Sequence, residues 1–253
     1  MQTKLTNLIN AEVFADAVSA KLGDKNPLFP LAYVESFEGV QSGTIRVPQY
    51  SYIGDAALIG EGVAIDPKLL SQTSVDLPVV KVAEGVNITD EAANGAFGDP
   101  LGEAEEQISN SLNGGIGREM FAALANATLN HTTPVGGTVN GDTVLAGLQL
   151  FGEDQEGEKY IFVNSNQFSN VKKDPAYVKE DNAMYDCKVI FSNRVPAGVA
   201  YIVKPGAIAL YHAKKVQVET DRDILAKSTV VNADEFFVTH LRDASKAVKI
   251  TLA

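Results

Sequence analysis

The strongest structural signal in this chain of 253 residues is DPLGEAEEQISNSLNGGIGREMFAALANATLN, at residues 99–130. Asp99 followed by Pro100 is typical of a helix start, because an acidic N-cap accepts backbone N–H bonds and proline fits the first turn. Apolar residues then recur every three or four positions, at Leu101, Ala104, Ile108, Leu112, Ile116, Met120, Leu124 and Ala127. The stretch predicts one helix that reaches about Asn130 and is about 45 Å long.

Three glycines lie inside this predicted helix, at Gly114, Gly115 and Gly117. Each glycine costs about 1 kcal/mol relative to alanine in a helix interior, so their grouping calls for a local reason. We expect either a bend of the helix or a close contact with another element at this segment.

Two extended segments precede the helix. Residues 44–47 form a short apolar run that ends at Pro48, and residues 75–88 show the alternation that is typical of a strand. Residues 55–72, between the two segments, are rich in glycine and acid. The pattern predicts a long β-hairpin, which is marginally stable in water unless another surface packs against it.

The ends of the chain read differently. The apolar spacing in residues 10–23 predicts an amphipathic helix. Acidic residues interrupt the apolar run that a signal peptide would need, so we expect a cytoplasmic product. After Pro134 the pattern alternates between helix and strand. From Ser228 to the last residue it predicts strands.

Composition excludes several classes of function. The formal net charge is −11, a poor match to sequence-specific DNA binding, which needs lysine and arginine against phosphate. The single cysteine excludes an internal disulfide framework and cysteine-rich metal sites. No run approaches the roughly 20 apolar residues that a membrane-spanning helix needs, so we expect no membrane contact.

No catalytic or nucleotide-binding motif is present, and we predict no catalytic residue, cofactor or metal. The candidates for chemistry are few, and each fits a structural role better. His131, His212 and His240 share no ligand spacing, and Cys187 lies beside a predicted strand. Two acidic groups complete the set of candidates. The first lacks the ligand pattern of a calcium-binding loop and consists of Glu153, Asp154, Glu156 and Glu158. The second is the pair Asp221 and Asp223, which flank Arg222 on an extended segment.

The order of these parts resembles the major capsid proteins of tailed bacteriophages, which share the Hong Kong 97 capsid fold. The resemblance covers nearly the whole chain and rests on five stretches taken together. They are LTNLINAEVFADAVSAKL (5–22), VPQYSYIGDA (47–56), GVNITDEAA (85–93), YIVKPGAIALYH (201–212) and VETDRDILAKSTVVNADEFFVTHLRDASKAVKITLA (218–253).

The resemblance implies an α+β fold with four parts. These are an N-terminal arm (1–43), an extended E-loop hairpin (44–89), a peripheral domain with a long spine helix and a closing β segment (90–133 and 218–253), and an axial α/β domain (134–217). The E-loop would contact a neighbouring subunit. The candidate contact residues are Tyr50, Tyr52, Asp55, Glu61, Asp66 and Lys68.

The function implied is that of a shell subunit without catalysis. Hexamers and pentamers of the chain would form an icosahedral virion capsid around double-stranded DNA, which the shell encloses without specific binding. Assembly would take place in the bacterial cytoplasm with a separate scaffold protein, a portal and possible decoration proteins. Two alternatives stay open: an encapsulin-like compartment that encloses enzymes, and a soluble α/β enzyme whose site is formed by distant residues.

Overall fold

The computed structural model describes residues 11–21, 26–37, 43–50, 54, 56–70, 72–95, 99–134 and 136–253. The described helices are α1 (Ala11–Lys21), α2 (Asp90–Gly95), α3 (Pro100–Leu124), α4 (Gly141–Gln149) and α5 (Phe168–Lys173). In these described ranges, no helix combines the length and the apolar character that crossing a membrane requires.

The described strands form three sheets. They are β1 (Tyr33–Ser36), β2 (Thr44–Tyr50), β3 (Gln72–Pro78), β4 (Val80–Thr89), β5 (Leu129–Thr132), β6 (Lys159–Val163), β7 (Tyr177–Val178), β8 (Ala183–Met184), β9 (Cys187–Phe191), β10 (Val199–Val203), β11 (Ile208–Asp223), β12 (Ser228–Leu241) and β13 (Ala247–Thr251). The mixture of helices and sheets is the α+β class expected from the sequence.

A four-stranded sheet has the order β1-β11-β12-β4, and the long strands β11 and β12 form its centre. β1 runs parallel to β11, while β12 is antiparallel to both β11 and β4. Helices α1 and α3 cover one face of this sheet, where Phe14, Ile116 and Phe237 are buried in one cluster. Burial of this apolar face is the main force that holds the helices on the sheet.

A seven-stranded sheet has the order β5-β13-β10-β6-β9-β8-β7. Its own core lies under α4, where Val144, Ile202 and Ile250 are fully or almost fully buried. The β segment that closes the chain is thus divided between two sheets. β12 belongs to the four-stranded sheet, whereas β13 pairs with β10 and β5.

Helix α3 begins where the sequence predicts but ends earlier. The Asp99 carboxylate accepts a 3.1 Å bond from the Gly102 amide, which caps the first turn. The helix stops at Leu124, so its 25 residues span about 37 Å, and the predicted continuation to Asn130 is wrong. The chain turns because residues 129–132 pair in parallel with β13, and that ladder replaces further helical hydrogen bonds.

The glycines of α3 allow close contacts, and the helix runs through them without a break. A Cβ atom at Gly115 would lie 2.9 Å from Cγ1 of Val82 on β4. One at Gly117 would lie 3.0 Å from Cδ of Arg194, which comes from the loop between β9 and β10. The close contact expected from the sequence is confirmed, and it places β4 and the loop between β9 and β10 against one segment of α3.

Strands β2 and β3 form a hairpin, in register from Thr44 opposite Pro78 to Tyr50 opposite Gln72. The predicted second arm, residues 75–88, is wrong beyond Pro78, because β4 pairs with β12 in the four-stranded sheet. Pro48 does not end the first strand as predicted, because a two-stranded hairpin has edges where a missing N–H is tolerated. Only the base of the hairpin is packed. Ile45 and Leu77 are buried there against Tyr211 on the second face of the four-stranded sheet.

Candidate functional site

The loop that joins β2 to β3 is the most exposed apolar segment of the described chain. Every residue from 56 to 70, here called the hairpin loop, is exposed. Leu58 is fully exposed, and Leu69 retains 89% of its accessible surface. Val63 and Ile65 are 63% and 76% exposed. Several large apolar side chains on one projecting loop are typical of an interaction surface.

Three of the six predicted contact residues lie on this loop. Glu61, Asp66 and Lys68 are all exposed there, and a Cβ atom at Gly54 would lie 3.4 Å from the Lys68 ammonium. Tyr50 contributes its backbone to the end of β2, while Tyr52 and Asp55 lie outside the described residues. The structure therefore groups Glu61, Asp66 and Lys68 but gives no account of the two tyrosine side chains.

A cross-strand ion pair joins the two strands of the hairpin. Arg46 Nε and Nη2 donate to the two Asp76 oxygens at 2.7 and 3.0 Å. Hydrogen bonding to Arg46 holds the pKa of Asp76 below its ordinary value of 3.8, and the same bond raises the pKa of Arg46. Because the two residues oppose each other in the ladder, the pair supports the observed register.

A similar bidentate pair joins the end of β11 to the start of α2. Arg222 donates from both terminal nitrogens to the two oxygens of Asp90, at 2.6 Å each. Asp223 Oδ1 accepts the amide hydrogens of residues 225 and 226, and Asp221 accepts the amide of Arg222. The two aspartates therefore bind local backbone groups and do not act on a shared site.

The three histidines lie apart in the fold. His131 is in β5, whereas His212 and His240 are in the four-stranded sheet. His212 Nδ1 lies 2.5 Å from Oε1 of the buried Glu235, and burial lowers the pKa of His240. Among the residues with a described placement, no group of three or more His, Cys, Asp or Glu is arranged to hold a metal ion.

Cys187 and the acidic loop also have structural surroundings. The Cys187 thiol is buried and donates to the Tyr185 carbonyl at 3.3 Å, and desolvation raises its pKa to about 11. It is therefore protonated at neutral pH and is a weak nucleophile. In the acidic loop, Asp154 accepts from the buried ammonium of Lys204 at 2.8 Å.

Comparison with known proteins identifies the family. Residues 72–250 match the family model described as phage capsid protein. The chain belongs to this family of phage capsid proteins. It is 31% identical, over 98% of its length and 95% of the relative, to the major capsid protein of Staphylococcus phage phiMR11. As a phage major capsid protein, it is a structural component of the virion shell.

Solved structures show the same fold at low sequence identity. The capsid of cyanophage P-SCSP1u matches this capsid protein with a TM-score of 0.72 at 11% identity, covering 100% of this chain and 93% of that one. A virus-like particle from Pyrococcus furiosus matches with a TM-score of 0.66 at 11% identity, covering 94% and 98%. These matches confirm the overall Hong Kong 97-like fold that the resemblance implies.

The sequence-based site of the capsid protein misses the apolar residues of the hairpin loop. The predicted contact residues are charged or aromatic and do not include Leu58, Ile65 or Leu69, because the segment is too polar overall to predict a core. The signal that identifies them is simple: they are large apolar residues in a segment that has neither helical nor strand periodicity, so nothing within the loop can bury them.

Proposed function

We propose that this capsid protein assembles as hexamers and pentamers into an icosahedral shell around double-stranded DNA, with the hairpin loop of each subunit lying on a neighbour. The observation that carries the proposal is the loop itself. Its base is packed at Ile45 and Leu77, but the apolar side chains beyond that base are exposed and belong to none of the buried clusters formed by the described residues.

The energy of this contact would come from the apolar side chains. Burial of a leucine, valine or isoleucine side chain contributes about 1.5–3 kcal/mol, so Leu58, Val63, Ile65 and Leu69 together offer a substantial interface. Glu61, Asp66 and Lys68 surround them with charge, which fixes register and excludes wrong pairings more than it adds affinity. Tyr50, Tyr52 and Asp55 remain proposed contacts at the root of the loop.

The proposed division of the subunit follows the two large sheets. The arm (1–43) and E-loop (44–89) would project, the peripheral domain (90–133 and 218–253) would contain α3, and the axial domain (134–217) would surround the capsomer axis. The sheet pairing supports two refinements of these boundaries. β11 continues the peripheral sheet back to Ile208, and β13 contributes its strand to the axial sheet.

The net charge of −11 fits a shell that encloses DNA without binding it tightly, because phosphate binding grows with the number of cationic contacts. We infer from the resemblance that assembly takes place in the host cytoplasm. A separate scaffold protein, a portal and decoration proteins are the further partners that the resemblance implies.

Removal of the hairpin loop tests the proposal. In a variant that lacks residues 54–72 and joins Ile53 to Thr73 through Asn-Gly, the subunit should stay soluble but assemble poorly, as judged by electron microscopy of the purified product. The matched control keeps the loop and replaces Ala57 and Ala64 by serine, which removes little apolar surface. Normal shells from the loop-deleted chain, or a full-length chain that stays monomeric even with a scaffold, would contradict the proposal.

A further inference from the structure

Strand β4 lies at one edge of the four-stranded sheet, and its outer side carries backbone groups that the ladder with β12 does not use. The strand has 10 residues, contains no proline and pairs with β12 on its inner side. Among the residues that the structure describes, no strand pairs with its outer side. An open edge of this length is a template on which a strand of another molecule can pair.

The register with β12 determines which backbone groups of β4 face outward. The ladder runs without a bulge from Thr89 to Val80, and the Asp90 amide next to it donates to the Lys227 carbonyl at 2.9 Å. Because the direction of the amides alternates along a strand, those of even-numbered residues point to β12 and those of odd-numbered residues point outward. The outward set consists of Lys81, Ala83, Gly85, Asn87 and Thr89.

The carboxylate of Glu84 occupies the middle of this outer edge. Its Oε1 accepts the outward amide of Gly85 at 3.1 Å, and its Oε2 accepts the Ser111 hydroxyl of helix α3 at 2.8 Å. The outward donor at the centre of the strand is therefore already bonded, and the side chain that bonds it is anchored to the helix. A strand that paired here would have to displace the bond to Gly85.

The sequence of β4 distinguishes Glu84 from the residues that share its face. The even-numbered side chains lie on the face that α3 covers, and the other four are apolar and half-buried: Val80, Val82, Val86 and Ile88. Glu84 is thus a charged residue within an otherwise regular apolar alternation. An apolar residue in its place would complete a proline-free segment of low charge, which is typical of strands that pair between molecules.

We propose that Glu84 closes the outer edge of β4, and that the strand it excludes is β4 of a second copy. A two-fold axis at Gly85 would bring the outward groups of two antiparallel β4 strands opposite each other. The same axis places the two Glu84 carboxylates diagonally across the strands on one face, where like charges repel. The proposal does not rest on the shell function, because it concerns the separate subunit.

Hydrogen exchange of unassembled subunits tests whether the edge is closed. The outward amides of Ala83 and Asn87, for which the described residues provide no acceptor, are the internal references. After correction for sequence effects, the Gly85 amide should exchange at least about fivefold more slowly than these two. Ser111→Ala removes only the anchor and should raise the Gly85 rate by about threefold. Equal rates at the three amides of the unaltered chain would overturn the proposal.

Substitution of Glu84 tests what the closed edge prevents. Glu84→Val should make unassembled subunits associate at least about tenfold more tightly in sedimentation velocity, because it removes the like charges and completes the apolar face. Glu156→Val is the matched control, since it makes the same change at an exposed loop residue away from β4. Adding Asn87→Pro to Glu84→Val should return association to the control level, because proline removes an outward donor without breaking a bond to β12.

Circular dichroism and thermal unfolding establish that each variant is folded. If Glu84→Val does not fold, Glu84→Gln keeps the shape of the side chain without its charge and should associate at least about threefold more tightly than Glu156→Gln. A folded Glu84 variant that stays as monomeric as its control overturns the proposal, and so does association that Asn87→Pro leaves unchanged. Failure of the unaltered chain to form shells would overturn the shell function alone.

Discussion

The β11–β12 and β2–β3 hairpins are both long, but they are packed very differently. β12 has a neighbouring strand on each side, and helices α1 and α3 cover one face, so Val231 and Phe237 are fully buried. The β2–β3 hairpin pairs only with itself, and its loop from residue 56 to 70 is exposed throughout. The first hairpin is stabilised by its own subunit, whereas the apolar surface of the second stays exposed, as the proposed contact with a neighbouring subunit requires.

This difference separates stability from assembly. Apolar side chains in β12 contribute to the folding free energy of the single subunit, because they are already removed from water. Apolar side chains in the hairpin loop contribute nothing of this kind until a neighbour covers them. Substitutions in the two hairpins should therefore affect different measurements.

The largest effect is expected from Phe237→Ala in β12. Removal of this fully buried ring should lower the free energy of unfolding by about 3–5 kcal/mol, since it leaves a cavity between the sheet and α3. Leu58→Ala in the hairpin loop should change it by less than about 0.5 kcal/mol. Urea unfolding of unassembled subunits measures both free energies. Similar losses in the two variants would contradict the conclusion that only the β11–β12 hairpin stabilises the single subunit.

The second effect concerns assembly alone. Leu58→Ser combined with Leu69→Ser should lower the particle yield by about tenfold or more, because two leucines that a neighbour would bury become polar. Subunit stability should not change. The yield is measured by sedimentation at matched protein concentration. If the double variant assembles as well as the chain with Ala57→Ser and Ala64→Ser, the loop is not an apolar contact.

The third effect compares two neighbouring glycines of α3. Gly115→Ala should destabilise the subunit by about 1–3 kcal/mol, because the new methyl group would lie 2.9 Å from Val82 on β4. Gly114→Ala should stabilise it by up to about 1 kcal/mol, since the nearest atom, in Arg194, is 3.9 Å away and alanine favours the helix. Thermal unfolding of the two variants gives the sign, and a stabilised Gly115→Ala chain would contradict the close packing.

The smallest effect comes from the two exposed ion pairs. Asp76 in β3 and Asp90 at the start of α2 both have a pKa below 3.8, mainly because Arg46 and Arg222 donate hydrogen bonds to their charged forms. A lowered pKa in the folded state means that the pair stabilises above pH 3.8, and that this contribution is lost as the pH falls through the lowered value.

NMR titration of the two carboxyl groups measures this effect, with Arg46→Gln and Arg222→Gln as the matched variants. Each substitution should return the pKa of its partner aspartate toward 3.8 and leave the other unchanged. A titration midpoint above 3.8 for either aspartate in the unaltered chain would show that its ion pair does not form in solution.

Local sequence signals predicted much of the fold, and their failures have a common cause. The start of α3 was predictable because Asp99 caps the Gly102 amide within one turn. The C-terminal end of α3 was not predictable, because residues 129–132 pair with β13, which lies nearly 120 residues later in the chain. The same limit applies to β13, which follows β12 closely in sequence but joins the other sheet.

The candidate site shows the same limit. The charged residues Glu61, Asp66 and Lys68 could be assigned to a projecting loop from composition and resemblance. The exposure of Leu58 and Leu69 could not, because an apolar residue in an irregular segment can be covered by any distant part of the chain.

The sequence alone predicts the mixture of helices and strands, the start of the long helix, the hairpin before it, and a structural role that fits the shortage of histidine and cysteine. These properties follow from periodicity and composition, which act over a few residues. Only the tertiary structure decided which strands share a sheet, why Gly115 must be glycine, and which apolar side chains remain uncovered. Those properties depend on contacts between residues far apart in the chain, and burial is defined only when the whole chain has folded.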